Sequence, residues 1–231
     1  MRTPEEVFDA IWREKLAARD ELGHVWGNNL RVDEAARRLR GGLRLLDIGC
    51  GTGALSVAVR GKFDEIHGLD IAHEAVRLAT ANGMRARRVD LNRDDIPFGD
   101  GTFDAVTVLS VLPYVYDPRW VLRECHRVLR DGGELALSVA NMRGLGKVFK
   151  QFVQGRFPAT SVGSEQGYDG GALHYFCAAN IRDLLVEAGF HITLLKGIFC
   201  RPRMVEGWSD RLGGRLKAEF LAGEIFFVAV K

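Results

Sequence analysis

Leu45-Leu46-Asp47-Ile48-Gly49-Cys50-Gly51-Thr52-Gly53 is the stretch on which the fold is decided. Residues 43–48 form a short apolar run that suits a buried parallel strand. Three alternate glycines follow it, and then a predicted helix over 54–61. Glycines between a strand and a helix let the backbone turn sharply and approach a ligand closely. The helix start also leaves free N–H groups there. Tight turns need glycine as well, so the triplet alone says little. An acid about 20 residues further on, at the end of the next strand, strengthens it, because a carboxylate there can accept both hydroxyls of a ribose. Asp70, in Gly68-Leu69-Asp70-Ile71, stands at that place. Its bland alternative is a helix cap.

Outward from this stretch, strands and helices alternate. Upstream, residues 3–22 read as an amphipathic helix, with Val7, Ile11, Lys15, Ala18 and Leu22 at helical spacing. Thr3-Pro4 serves as a cap followed by proline. A second helix covers 33–40. Downstream come a strand at 65–69, a helix at 73–81 and strands at 85–89 and 104–109. Asp117-Pro118 then opens a helix to residue 130, and a fifth strand covers 133–140. This alternation predicts an α/β fold: a Rossmann-like, doubly wound, mostly parallel sheet. Residues 143–175 break the regularity with a basic helix at 145–154 and a Gly/Ser/Pro-rich stretch at 155–171, the composition of a functional loop. A helix at 180–188 and strands at 191–199 and 224–230 complete the chain, the last strand expected to be antiparallel.

The sign of the charge at Asp47 separates two ligand classes. Gly49, Gly51 and Ala54 satisfy the looser dinucleotide pattern GxGxxA, which makes a nicotinamide oxidoreductase the rival reading. A carboxylate beside the turn would oppose a doubly negative pyrophosphate. It suits a cationic ligand by roughly a few kcal/mol at an effective dielectric near 20. The alternative role of Asp47, holding the glycine loop by hydrogen bonds, fits either class.

Residues 45–53 resemble the first motif of the class I S-adenosylmethionine-dependent methyltransferases. The resemblance continues through Asp70, Val89-Asp90-Leu91, Ile96-Pro97-Phe98, Gly101-Thr102-Phe103-Asp104 and the run Arg127–Leu135, and so spans roughly 42–140 in register. It implies S-adenosylmethionine as cofactor, with Asp47, Gly49, Cys50, Gly51 and Gly53 along the loop. It also implies Asp70 and Ile71 at the ribose, Asp90 and Leu91 at the adenine, and Ser110 touching the cofactor. For Asp90 a surface acid after a strand is an equal alternative. Many members place a histidine or an acid pair after the fourth strand. Here Pro113-Tyr114 occupies that place, which removes the usual base. With no internal repeat and no separating linker, one domain is expected over 1–231: helices at 1–41 capping the core, the cofactor-binding core at 42–140, an acceptor-side insertion at 141–176, and a helix and strands at 177–231. In the last third, Asn141, the basic helix at 145–154, Gly155-Arg156-Phe157-Pro158, Tyr168-Asp169 and His174 fall in an order similar, more loosely, to that of the MetW family of methionine biosynthesis, whose members are associated with homoserine acetyltransferase. That likeness implies a protein partner as an alternative role.

On this reading the activity is methyl transfer to an O, N or C nucleophile of a small-molecule acceptor. His174 is the candidate base, since a neutral imidazole takes a proton near physiological pH, against packing at a helix start. Tyr114, Tyr168 and Tyr175 are the acceptor-contact candidates. Trp12 and Trp26 belong either to a cover over the cofactor cleft or to helix packing. Cys50 has no base near it in sequence and reads as a small packing residue within the loop.

Composition excludes several other classes. The 231 residues carry 32 Lys+Arg against 30 Asp+Glu, so no global positive field draws the chain to nucleic acid or membrane. Arg85, Arg87 and Arg88 are the one candidate patch, with a solvated surface run as the alternative. The cysteines, at 50, 125, 177 and 200, form no CxxC pair and no metal-ligand spacing, so no metal is expected. No apolar stretch approaches the roughly 18 residues of a membrane helix. The Met1 region carries Glu5, Glu6 and Asp9 without an apolar core, so no signal peptide is expected and the expected location is cytoplasmic.

Overall fold

The computed structural model describes residues 4–17, 29–155, 172–200 and 219–231. Seven strands form one sheet in the order β3-β2-β1-β4-β5-β7-β6. The chain divides into two compact units, residues 1–109 with 127–134, and residues 110–126 with 135–231.

The first unit holds α1 (Pro4–Ala17), α2 (Leu30–Arg38), β1 (Gly42–Ile48), α3 (Ala54–Ala58), β2 (Phe63–Asp70), α4 (His73–Ala81), β3 (Arg85–Arg88) and β4 (Phe103–Leu109). The strands β1, β2, β3 and β4 pair in parallel, with Asp47 beside Gly68 on one side and Thr107 on the other. Leu45, Leu46 and Ile48 are fully buried, which explains their apolar run. A parallel strand covered on both faces leaves no position for a solvent-facing polar residue. The start of α2 lies three residues earlier than the sequence pattern suggests. Its buried Glu34 holds Arg37 at 2.7 Å and Arg38 at 2.8 Å. Lys62 closes the other end of α2 by donating to the Leu39 carbonyl at 3.1 Å, where a cation meets the negative end of the helix dipole.

The second unit holds a 3-10 turn (Leu112–Tyr114), α6 (Leu145–Gln154), α7 (Ala178–Glu187), β6 (His191–Cys200) and β7 (Ala222–Val230). The helix α5 (Pro118–Val128) and the strand β5 (Leu129–Ala140) run through both units. The Asp117-Pro118 start of α5 forms as expected: Asp117 Oδ1 accepts the N–H groups of Arg119 at 2.9 Å and Trp120 at 3.1 Å. The strand β5 begins at Leu129 rather than 133. Its Gly132, at φ +72°, bends the strand instead of ending a loop. The strand β7 pairs antiparallel with β6, and Ile225, Phe226, Phe227 and Ala229 are fully buried. No helix among the described residues is long and apolar enough to cross a membrane.

Candidate cofactor site

The loop after β1 is held by hydrogen bonds and by glycine's freedom. Gly49, Gly51 and Gly53 lie at φ +69°, +51° and +75°, a region that L side chains rarely adopt. The N–H groups of Gly49 and Cys50 both donate to the Leu69 carbonyl, at 2.7 and 3.0 Å. At Gly53 a Cβ would also lie 2.9 Å from the Ala79 Cα, so this glycine lets α4 pack against the loop. The Cys50 side chain packs in the core with Ala79 and Met84, and it approaches Gly68 so closely that a Cβ there would sit 2.8 Å from its sulfur. Burial, with the charges of Asp70 and Asp47, pushes its thiol far above the ordinary range. Cys50 is therefore an inert packing residue.

Asp70 occupies the end of β2, and both its oxygens are engaged. Oδ2 accepts the Gly51 N–H at 2.9 Å, and Oδ1 accepts the Ala72 N–H at 3.0 Å. The carboxylate thus ties the glycine loop to the start of α4. The Oδ1 bond meets the N–H of Ala72, the N-cap residue of α4, so Asp70 is built into the turn before the helix. Burial raises the Asp70 pKa, against backbone N–H groups that lower it. Asp47 is buried more completely, at 4% exposure, and its Oδ1 accepts the Thr107 hydroxyl at 2.6 Å. Burial pushes its pKa up to about 7, the Thr107 hydroxyl opposes the rise, and the Asp70 charge adds to it.

The remaining candidates are placed as follows. Asp90 follows β3 and folds onto its own turn: Oδ1 accepts the Asn92 N–H at 3.0 Å, and Arg93 lies 3.6 Å from Oδ2. Ile71 and Leu91 are half-buried beside these turns. The arginines near β3 do not make a free patch. Arg85 pairs with Glu65 at 2.7 Å, Arg88 pairs with Glu5 at 2.9 Å, and Arg87 lies over the Phe98 ring.

In the second unit Ser110 takes a left-handed backbone, φ +61°, unusual for a residue with a side chain. Its N–H donates to the Ser138 carbonyl at 2.9 Å and its hydroxyl donates to Glu224 Oε1 at 2.8 Å. Tyr114 ends the 3-10 turn, half-buried. The His174 Nε2 lies 3.2 Å from the Tyr116 carbonyl, so Nε2 carries the proton and the neutral ring keeps its lone pair on Nδ1. Tyr175 is 48% exposed. Tyr168 lies outside the described residues, as does most of the expected loop at 155–171.

Sequence reasoning missed Glu224, and it named Asn141 without foreseeing its burial. Glu224 is 6% exposed in the otherwise apolar β7. Asn141 is fully buried. Its amide donates to the carbonyls of Glu219 and Ala222, both at 3.0 Å, and its oxygen accepts the Arg143 N–H. Lys147 reaches the Gly223 carbonyl at 3.4 Å. Desolvation lowers its pKa and the Glu224 charge opposes that. A lone acid inside the apolar run 222–230 was the available signal for Glu224.

A cofactor is tested against this chemistry by charge. Asp47 is a buried carboxylate at the mouth of the loop whose hydrogen-bond partner among the described residues is a neutral hydroxyl. The ammonium of an amino-acid end fits it, and a pyrophosphate does not. The sheet order, the glycine loop and the two strand-end acids define a class: the chain has the class I S-adenosylmethionine-dependent methyltransferase fold.

Comparison with known proteins gives the particular relatives. Residues 46–137 match the methyltransferase domain family. A ubiquinone biosynthesis O-methyltransferase of Xanthomonas oryzae pv. oryzae is 37% identical over 120 residues, 49% of this chain and 50% of that protein. The chain thus spans about half the length of the first curated relatives it matches. The protein of the same name from Xanthomonas axonopodis pv. citri is 29% identical over 210 residues, 84% of this chain and 81% of that one. An S-adenosylmethionine-dependent methyltransferase structure from Thermotoga maritima superposes with a TM-score of 0.67 at 19% identity, covering 97% of this chain and 98% of that one. None of these names is MetW, and the MetW resemblance gains no support from them.

Proposed function

We propose that the chain transfers the methyl group of S-adenosylmethionine to an oxygen of a small-molecule acceptor. The observation that carries this is Asp47, a buried carboxylate beside the glycine loop with no ion pair among the described residues. Methyl donation needs a cationic ligand there, and hydride transfer from a pyrophosphate-linked cofactor does not. The choice of oxygen follows the names of the Xanthomonas relatives.

When bound, the cofactor supplies an activated methyl, so the protein's work is positioning and exclusion of water. Asp47 holds the ammonium of the methionine end. Asp70 takes the ribose, and Asp90, with Leu91, meets the adenine. The loop N–H groups of residues 51–53 fix the backbone close to the ligand. Ser110 is a further cofactor-contact candidate. His174, through Nδ1, is the candidate base, and Tyr114, Tyr168 and Tyr175 are the acceptor-contact candidates.

The test is incubation with methyl-labelled S-adenosylmethionine and the small-molecule fraction of a cell extract. Label in a low-mass product, attached through oxygen, is the expected result. Label found only in macromolecules, or no transfer from any fraction, would overturn the proposal.

A further inference from the structure

The helix α6 is mounted with its sides reversed. Leu145, Val148, Phe149, Phe152 and Val153 recur at i, i+3, i+4, i+7 and i+8 and form one apolar stripe. In a surface helix such a stripe ordinarily faces the core. Here all five side chains are exposed, Phe149 at 65% and Phe152 at 91%. The helix meets the fold from its polar side instead. A Cβ at Gly144 would lie 3.0 Å from the Ala222 carbonyl oxygen, and Lys147 Nζ donates to the Gly223 carbonyl at 3.4 Å. The approach is fixed by Asn141, whose backbone N–H donates to that same Gly223 carbonyl at 3.0 Å. Gly155, at φ +62°, ends the helix, and its N–H donates to the Gln151 carbonyl at 3.1 Å. The charge carried by this stretch has one sign: Arg143, Lys147 and Lys150, with no acid between Glu134 and Glu165. Glu219, 3.3 Å from Arg143, and Glu224, acting on Lys147, offset part of it from the side of the fold. The near-neutral balance of the whole chain conceals this local positive run.

We propose that α6 is an interfacial helix that seats the chain on an anionic lipid surface. A helix with Phe, Leu and Val on one side and lysines on the other lies in the plane of a bilayer, its apolar side among the acyl chains. Its ten residues, about 15 Å of helix, are too few to cross the roughly 30 Å hydrocarbon core. The ridge is apolar along its crest and basic along its flanks. A lipid surface matches both at once, with hydrocarbon below and phosphate above. A second copy of the chain fits less well. The stripe offers roughly a few hundred Å², and a stable dimer buries about 800 Å² per partner. Two copies would also bring like charges together along the helix. Lipid binding of this kind is independent of the cofactor.

The test sediments the full chain with vesicles of equimolar phosphatidylcholine and phosphatidylglycerol, and with vesicles of phosphatidylcholine alone. Binding to the mixed vesicles is expected to be at least about ten-fold tighter than to the neutral ones. Sodium chloride at roughly 0.5 M should weaken it several-fold, because the Debye length falls to about 4 Å. The double variant Phe149→Ser with Phe152→Ser changes two exposed positions, so it should melt as the parent does. It should bind mixed vesicles at least about ten-fold more weakly. On the unaltered chain, hydrogen exchange of residues 145–154 should slow on mixed vesicles, while that of residues 178–187 stays as in solution. No sedimentation with either vesicle, as for a stripe made for a protein partner, would overturn the proposal. Equal binding by the double variant, or protection that leaves out residues 145–154, would overturn it too. So would a dimer, seen by analytical ultracentrifugation, that the double variant dissociates, because the stripe would then belong to a second copy.

Discussion

Lowering the pH should weaken S-adenosylmethionine binding through Asp47, and the size of the effect can be worked from its burial. In the free protein, burial holds the Asp47 pKa at about 7. A bound ammonium favours the ionised form and returns the carboxyl toward its ordinary value of 3.8. The ionised form is the one that binds, so affinity is full above the free-protein pKa and falls as pH drops through it. Between pH 7 and pH 5 the fall is about 50-fold, approaching ten-fold per pH unit at the lower end. This window stays below the titration of a free α-amino group, at roughly 7.7–8.0. The assay is calorimetry in buffers of different ionisation enthalpy, which reads the protons released. At pH 6 about 0.9 proton should leave per cofactor bound. Asp47→Asn should bind weakly at every pH and lose most of this proton release. A flat affinity between pH 7 and pH 5, or a variant with the same proton release, would refute the assignment.

Further outcomes follow from the same geometry. Thr107→Val removes the hydroxyl that opposes the rise at Asp47, so the break in the binding profile should move upward by about 1–2 pH units. The raised Asp47 pKa also bears on stability: the contribution of the neutral group is full below the unfolded pKa and is lost as pH rises through about 7. Cofactor-free Asp47→Asn should accordingly resist urea better than the parent at pH 8, by up to about 4 kcal/mol, with the advantage gone near pH 4. Asp70→Ala should weaken cofactor binding about 10–100-fold in calorimetry while the protein stays folded. If only its melting temperature falls, Asp70 is a cap and not a ribose ligand. Gly53→Ala forces a side chain into a left-handed backbone and against the Ala79 Cα, so it should cost roughly 1–3 kcal/mol in a urea melt.

Much of the fold was legible because buried parallel strands and glycine turns are local signals. The run ending at Ile48 announced β1, and the spacing to Asp70 announced the end of β2. Asp117-Pro118 announced α5 because a cap is written in adjacent residues. Boundaries were less legible where glycine served two purposes. Gly132 bends β5 from within, whereas the sequence suggests that it precedes the strand. The Asp47–Thr107 contact joins positions 60 residues apart, and no periodicity relates them. The Ser110–Glu224 pair spans 114 residues and depends on which strand follows which in the sheet. Asp9 read as one charge among several near the start of the chain. Its burial against Glu74 depends on α1 docking on α4, which local pattern does not specify.

The most direct test of the central claim is a calorimetric titration of the whole chain with S-adenosylmethionine and, separately, with NAD at pH 7. One S-adenosylmethionine should bind per chain with measurable heat, and NAD should bind at least ten-fold more weakly or not at all. Tighter binding of NAD would contradict the account, because a pyrophosphate would then sit where Asp47 places a negative charge.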